Sequence, residues 1–112
     1  MISVLKFTAV TEKRGAILEI LRTIEHRTRG KLGCMECGVY ETREDGGGAI
    51  LYFEKWNSKE DLYRHIKSDS YFLVLTVMEF ASQKPEIYFF EIPETDRMAL
   101  IKALRSKEKE NG

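Results

Sequence analysis

The sequence predicts an α+β fold of the ferredoxin-like kind, with the element order β-α-β-β-α-β and an antiparallel four-stranded sheet that carries its helices on one face. Two observations support this prediction. Stretches rich in β-branched and aromatic residues alternate with stretches whose apolar residues recur every three or four positions. The chain has 112 residues, which is enough for one domain whose single hydrophobic core both element types must share.

Charge and hydropathy argue against several classes of protein. The 18 Lys and Arg residues balance the 18 Asp and Glu residues, and the basic ones are scattered, so we expect no nucleic-acid partner. No apolar run approaches the ~20 residues that span a bilayer, so we expect no membrane partner. Residues 1–6 lack the layout of a signal peptide. We therefore expect a soluble, cytoplasmic protein.

Two different periodicities predict the first strand and the first helix. Ile2 to Val10 carries apolar side chains on both faces of an extended chain, which a half-solvated strand would not do. Thr11 is a suitable N-cap for a helix from about Glu12 to Arg29, which the glycines of residues 30–33 then end. One side of this helix is charged, and the other is an apolar stripe that we expect to cover the sheet: Ala16, Ile17, Ile20, Leu21 and Ile24.

A hairpin follows the first helix. Gly33 to Arg43 and Ala49 to Trp56 are the predicted second and third strands, because both are rich in strand-forming residues. The glycine-rich segment of residues 44–48 between them is typical of a hairpin loop.

The second half of the chain begins with a helical region from Lys59 to about Gln83. Ser58 is its predicted N-cap, and the small polar residues 68–70 predict a bend. Beyond the bend the helix is apolar nearly all the way round, so we expect it to be covered on more than one side. Pro85 cannot continue a helix, and Glu86 to Ile92 is the predicted fourth strand.

The predicted sheet has more apolar surface than one chain can cover. Its strands are apolar on both faces, whereas two helices cover only one, so we expect the second face to be covered by an identical chain in a homodimer.

Residues 1–93 form the predicted domain. Residues 94–112 are an extension whose short helix, with apolar residues Met98, Leu100, Ile101 and Leu104, is too small to cover a four-stranded face. We expect it to act as an added clamp.

The end of the third strand is the candidate functional corner. The predicted strand stops at Trp56, and a helix begins within a few residues and carries His65 beside its apolar face. Trp56 and His65 are therefore expected in one neighbourhood.

The chain resembles the antibiotic biosynthesis monooxygenase (ABM) domain superfamily of dimeric α+β barrel proteins, and within it the quinol monooxygenase-like branch. Four segments carry the resemblance: Gly33-Cys34, residues 52–62 (YFEKWNSKEDL) with the following His65, residues 68–72 (SDSYF) and Pro85-Glu86-Ile87. The likeness spans residues 2 to 92 and is most distinctive where a strand with Glu-x-Trp runs into a helix with His.

The resemblance implies a hydrophobic pocket between sheet and helices. In oxygenases of the superfamily the deprotonated aromatic or quinol-type substrate itself gives an electron to dioxygen, so the implied chemistry needs no cofactor, whether metal or flavin. It assigns catalysis to His65 as the base and to Trp56, which would stack on the substrate and donate its indole N–H. The implied pocket walls are Tyr40, Tyr52, Phe72, Leu75 and Met78.

Simpler interpretations of the same residues stay open. Trp56 can be a core aromatic, His65 can face water, and the tyrosines and the apolar helix can serve packing alone. The chain also lacks the axial histidine of the haem-degrading members, since Leu75 stands in the expected region. The alternative to an enzyme is a non-catalytic dimeric barrel that binds a small hydrophobic ligand or serves as a scaffold.

Cys34 and Cys37 form a C-x-x-C motif at the start of a predicted strand. Residues i and i+3 of a regular strand point to opposite faces, so the sulfurs could meet in a disulfide only if a β-bulge intervened. No second C-x-x-C is present to complete a zinc site. We therefore expect two buried, inert thiols and no metal site.

Overall fold

A computed structural model of the chain describes residues 1–43, 48–91 and 97–111. A short 3₁₀ turn at Thr11–Lys13 precedes the first α-helix. The elements in chain order are β1 (Ile2–Phe7), α1 (Arg14–Arg29), β2 (Cys34–Glu41), β3 (Ile50–Trp56), α2 (Lys59–Ile66), α3 (Asp69–Met78), β4 (Glu86–Phe90) and α4 (Arg97–Asn111).

The four strands form one antiparallel sheet in the order β2-β3-β1-β4. This is the strand order of the ferredoxin-like fold, so the predicted fold class is confirmed. The central strands β1 and β3 pair in register from Ile2 opposite Lys55 to Phe7 opposite Ile50. Consequently Trp56, at the end of β3, lies next to the first residue of the chain, and Met1 and Trp56 exchange two backbone hydrogen bonds.

The core lies between one face of the sheet and the helices α1 and α3. Alternate residues of each central strand point into it, as the period-2 pattern requires. The largest part of the core is formed by Leu5, Phe7, Ile17, Leu21, Ile24, Val39, Ile50, Tyr52, Val74 and Val77. Within the predicted α1 stripe, Ile17, Leu21 and Ile24 are buried, whereas Ala16 and Ile20 are exposed.

The opposite face of the sheet has no helix over it in the described part of a single chain. We call it the open sheet face. Pairing in register places Val4, Phe53 and Tyr88 side by side on this face. The remaining apolar members are Ile2, Tyr40, Leu51 and Phe90, and the rings of Tyr88 and Phe90 stack 6.2 Å apart.

The structure corrects two predictions about the helices and confirms a third. Thr11 does not cap α1, because the 3₁₀ turn precedes the helix and neither its N-cap nor that of α1 makes a side-chain cap bond. The bend near residue 68 is confirmed, since α2 ends at Ile66 and Ser68 caps α3. α3 ends at Met78 rather than near Gln83, and only one of its sides is covered, because Phe72 is 68% exposed.

The ends of two further elements differ from the prediction or lie outside the described residues. β4 ends at Phe90, and Ile92 is not among the described residues, nor are residues 44–47 of the predicted hairpin loop. The predicted C-terminal helix is present as α4, and its apolar residues Met98, Leu100, Ile101 and Leu104 are all at least half exposed. Among the described helices, none has the length and hydrophobicity to cross a membrane.

Candidate functional site

The corner between β3 and α2 is built by hydrogen bonds that the local sequence dictates. The Ser58 hydroxyl oxygen accepts from the Asp61 backbone N–H at 3.1 Å and donates to Asp61 Oδ2 at 2.9 Å, which fixes the first turn of α2. The Asn57 N–H donates to the Gly33 carbonyl at 2.8 Å, so the loop before β2 lies against this corner. Gly33 has a φ of +87°, and a Cβ there would collide with the Asp61 side chain.

A buried carboxylate lies at the centre of the site. Glu54 points to the core side of β3 and is fully buried. Its Oε1 accepts the indole N–H of Trp56 at 3.1 Å, and its Oε2 lies 2.7 Å from His65 Nε2. The rings of Trp56 and His65 lie 4.8 Å apart between centroids, and Tyr71 meets the imidazole edge-on at 5.5 Å. A buried carboxylate needs such partners, and here it has two.

The contacts of His65 assign its tautomer. Lys31 Nζ lies 3.1 Å from His65 Nδ1, and an ammonium group can only donate, so Nδ1 accepts with its lone pair. The proton of a neutral imidazole is then on Nε2, which donates to Glu54. Lys31 Nζ also donates to Ser68 Oγ at 3.2 Å, and Ser68 donates in turn to the His65 carbonyl at 2.6 Å. A hydrogen-bonded line therefore runs from Glu54 through His65 to Lys31.

A pocket of about 270 Å³ opens over the Nδ1 side of this line. Trp56 and His65, each only 2% exposed, lie at its base, and the exposed side chains of Leu32 and Arg64 lie at its mouth. The full lining is Lys31, Leu32, Trp56, Asp61, Arg64, His65 and Ser68. The pocket therefore combines an aromatic surface, an imidazole and an ammonium group.

The structure brings together only some of the residues named from the sequence. Trp56 and His65 meet as expected, but the Trp56 N–H is donated to Glu54 and is not free for a ligand. None of the five expected wall residues lines the pocket described above. Tyr52 is fully buried in the core, Met78 packs against the core, Tyr40 lies on the open sheet face, and Phe72 and Leu75 are exposed on α3.

Three contributors to the site were not singled out from the sequence. Glu54 was only part of a quoted motif, yet a carboxylate at an inward position of an alternating strand is a signal in itself, because that position must be buried. Lys31 and Ser68 reach the site from the loop after α1 and from the start of α3. No local pattern indicates that these two side chains meet, since 37 positions separate them.

The prediction of two buried thiols is correct for Cys37 and wrong for Cys34, which is only partly buried, and the strand irregularity that would bring the two onto one face is present. The pairing of β2 with β3 shifts between Cys34 and Glu36, so that Cys34 lies opposite Trp56 and Cys37 opposite Glu54. This irregularity puts both cysteines on the same face of the sheet. Both are free thiols. Among residues 1–43, 48–91 and 97–111, no three His, Cys, Asp or Glu side chains are grouped to hold a metal ion.

Burial and the Glu54 carboxylate together keep the neighbouring acids protonated. Burial, with the Glu54 charge as a further cause, raises the pKa of Cys37 to about 12, although a hydrogen bond with Tyr52 acts in the opposite direction. The same two causes raise the pKa of Tyr71 to about 12 and raise those of Cys34 and Tyr52. His65 therefore has no ionised thiol or phenol beside it at neutral pH.

No family model matches the chain, and no curated protein is significantly similar to it in sequence. Solved structures are similar in fold. Rv0793 from Mycobacterium tuberculosis has a TM-score of 0.71 at 23% identity, over 83% of this chain and 95% of that chain. A crystal structure of an antibiotic biosynthesis monooxygenase has a TM-score of 0.70 at 19% identity, over 83% and 100% of the two chains.

A conserved protein from Methanosarcina mazei Go1 is similar to the same degree, with a TM-score of 0.71 at 22% identity over 82% of this chain and 92% of that chain. At these identities the likeness establishes the fold and leaves the chemistry to the site. The resemblance to ABM domain proteins is thus confirmed as a resemblance of fold.

Proposed function

We propose that the chain is a cofactor-independent monooxygenase that oxidises a small aromatic or quinol-type substrate in the pocket beside Trp56 and His65. The observation that carries the proposal is the buried Glu54–His65 pair, whose imidazole lines a pocket; its Nδ1 accepts from Lys31 in this structure and becomes available to a substrate when the Lys31 side chain moves aside. A histidine held by a buried carboxylate on one nitrogen, with the other toward a ligand, is the usual arrangement of a general base.

In this proposal His65 Nδ1 removes the proton of a substrate hydroxyl. The imidazolium that forms is stabilised by Glu54, which already accepts the Nε2 proton at 2.7 Å. The electron-rich anion then reduces dioxygen. For a phenol oxidised to a quinone, one oxygen atom becomes the new carbonyl and the other leaves as water with the two hydrogens that the substrate gives up. The substrate thereby supplies all four electrons.

Trp56 has two parts in the proposed site. Its N–H donates to Glu54 Oε1 and thereby orients the carboxylate, so that Oε2 can accept from His65 Nε2. Its ring lies at the base of the pocket, where its small exposed area can contact a bound substrate. The pocket volume supports a small substrate, since a cavity of ~150 Å³ is enough for benzene.

Oxygen uptake tests the proposal. Native protein is assayed with a panel of anthrones, hydroquinones and naphthols, beside His65→Ala and Trp56→Phe. Loss of a general base costs ~10²–10⁴-fold in rate, so His65→Ala should abolish most uptake, and Trp56→Phe should reduce it less because a ring remains. His26→Ala is the matched control, because His26 is exposed on α1. Uptake that His65→Ala leaves unchanged would remove this residue from the mechanism.

We also propose that two copies join through the open sheet face to form a homodimer. The support is physical: Val4, Phe53 and Tyr88 lie side by side with no cover from their own chain among the described residues. Contiguous apolar surface of this kind marks an interaction site in a soluble protein. α4, with its exposed apolar side chains, is proposed as a clamp on the partner. A cytoplasmic location stays a prediction.

Sedimentation tests the dimer. Native protein should sediment as a dimer at micromolar concentration, and Phe53→Lys should make it a monomer, because it would bury a charge in the centre of the interface. Phe72→Lys, on exposed α3, should leave the dimer intact. A native monomer, or a dimer that survives Phe53→Lys, would contradict the proposed interface.

The alternative function is a non-catalytic dimeric barrel that binds a small hydrophobic ligand or serves as a scaffold. One observation favours it: both ring nitrogens of His65 already have partners, as they would in a purely structural histidine. Dimeric protein that binds aromatic molecules in the pocket but consumes no oxygen with any member of the panel would support this function.

A further inference from the structure

We infer that the pocket takes its ligand as an aryl oxyanion, with the ligand oxygen held by the Lys31 ammonium group. The inference rests on the proposed function and deepens it, because it names Lys31 as the residue that holds the ionised oxygen of the substrate.

Lys31 carries a charge that no carboxylate neutralises within the described part of the chain. Among the described residues its Nζ hydrogen-bonds to the neutral acceptors His65 Nδ1 and Ser68 Oγ, at 3.1 and 3.2 Å, and takes part in no ion pair. The other cation of the pocket differs, because Arg64 is paired with Asp61 at 3.0 Å. The pocket therefore offers one ammonium group whose charge is available to an anion.

Proton transfer and anion binding are coupled by this geometry. The Ar–O–H proton moves to His65 Nδ1, the O–H electron pair stays on the oxygen, and a new N–H bond forms. Nδ1 has one lone pair, so the Lys31 ammonium group must leave it before the substrate hydroxyl can donate there, and the displaced ammonium group then donates to the oxyanion that forms beside it. The charges balance, because the imidazolium is paired with Glu54 and the oxyanion with Lys31.

The surroundings of Lys31 allow it to make this change. Its backbone is fixed by hydrogen bonds from its N–H to the Thr28 carbonyl and from the Cys34 N–H to its own carbonyl, at 3.0 and 3.1 Å. Only the side chain must move, and Nζ lies at the pocket. The Trp56 ring lies at the base of the same space and can contact the bound arene there.

Binding of 4-nitrophenol tests the inference without any oxidation, because its ionised form has a distinct visible absorbance. Native protein should raise the phenolate fraction at a pH at which the free compound is mostly un-ionised. Lys31→Met and Lys31→Gln should weaken phenolate binding about tenfold, the usual effect of losing one charge-assisted hydrogen bond. Lys67→Met is the matched control, because Lys67 is exposed at the end of α2 and should leave binding unchanged.

Two further measurements make the outcomes decisive. Circular dichroism of each variant shows whether it is folded, and 4-nitroanisole, which has no proton to lose, should bind Lys31→Gln as it binds the native protein. Phenolate binding that depends on Lys31 without oxygen uptake from any hydroxyarene would support this inference and refute the monooxygenase. Oxygen uptake with no effect of either Lys31 variant on phenolate binding would overturn the inference and leave the monooxygenase standing.

Discussion

Replacement of Glu54 by glutamine exchanges one carboxylate oxygen for an NH₂ group, which conflicts with one of the two hydrogen bonds that the side chain accepts. The native carboxylate can only accept hydrogen bonds, and it accepts one from the Trp56 N–H and one from His65 Nε2–H. A glutamine amide has a single acceptor oxygen and an NH₂ group that only donates. If the NH₂ group faces Trp56, two donors meet there. If it faces His65, the imidazole can avoid the clash only by moving its proton to Nδ1, where the Lys31 ammonium already donates.

Every arrangement of Glu54→Gln thus leaves one donor without an acceptor. Where the conflict lies at Trp56, the position is buried and water cannot supply the missing partner; where it lies at Nδ1, the Lys31 ammonium group loses an acceptor beside the pocket. An unsatisfied buried polar group costs about 1–3 kcal/mol, and we expect the free energy of unfolding to fall by that amount. For a domain of 112 residues, 1 kcal/mol lowers Tm by roughly 4 °C.

Urea denaturation followed by far-UV circular dichroism measures this loss. Glu36→Gln is the matched control, because Glu36 lies on the neighbouring strand with an exposed side chain, and its unfolding free energy should change by no more than about 0.5 kcal/mol. If Glu54→Gln is as stable as Glu36→Gln, Glu54 does not accept two hydrogen bonds in the folded chain. The assignment of the His65 tautomer would then fail with it.

Two other predictions concern the frame around the site. Gly33→Ala should lower the free energy of unfolding by about 1–3 kcal/mol, because Gly33 has a φ of +87° and a Cβ would collide with Asp61. Gly30→Ala is the control and should be close to neutral in the same urea titration. Gly30 has a φ of −85°, and the nearest atom to an added Cβ there is 3.6 Å away. Equal effects of the two alanines would contradict the strain at Gly33. Burial raises the pKa of Cys37 from 9.0 to about 12, so the folded chain holds this proton more tightly than the unfolded chain, and stability present below pH 9.0 should be lost as the pH rises toward about 12. Urea midpoints measured across this range should fall less steeply for Cys37→Ala, and a native midpoint that does not fall would show that Cys37 is not buried as a thiol.

Much of the fold follows from the sequence because short-range patterns dictate it. Apolar side chains on both faces predicted β1, strand-forming residues predicted β3, Ser58 caps α2 as expected, and Ser68 marks the break between α2 and α3. The start of α1 was not predictable in the same way, since Thr11 is suitable as an N-cap but the chain makes a 3₁₀ turn first.

The site follows from the sequence only in part, because its contacts are long-range. The proximity of Trp56 and His65 was predictable from the short strand-to-helix connection. The contact of Lys31 with His65 joins residues 34 positions apart and depends on how two loops pack, which no local pattern encodes. The common face of Cys34 and Cys37 was also not predictable, because it depends on the irregular pairing near Cys34. An extra residue in one strand changes which side chains share a face of the sheet.

The protonation of the two nitrogens of His65 tests the central claim most directly. Long-range ¹H–¹⁵N NMR spectra of protein labelled at histidine distinguish a nitrogen that carries a proton from one that does not, and a His26→Gln variant assigns the two histidines. At a pH at which the exposed His26 is neutral, the account predicts a protonated Nε2 and an unprotonated Nδ1 for His65, held as a single tautomer. A proton on Nδ1, or rapid averaging of the two tautomers as expected for the exposed His26, would contradict it.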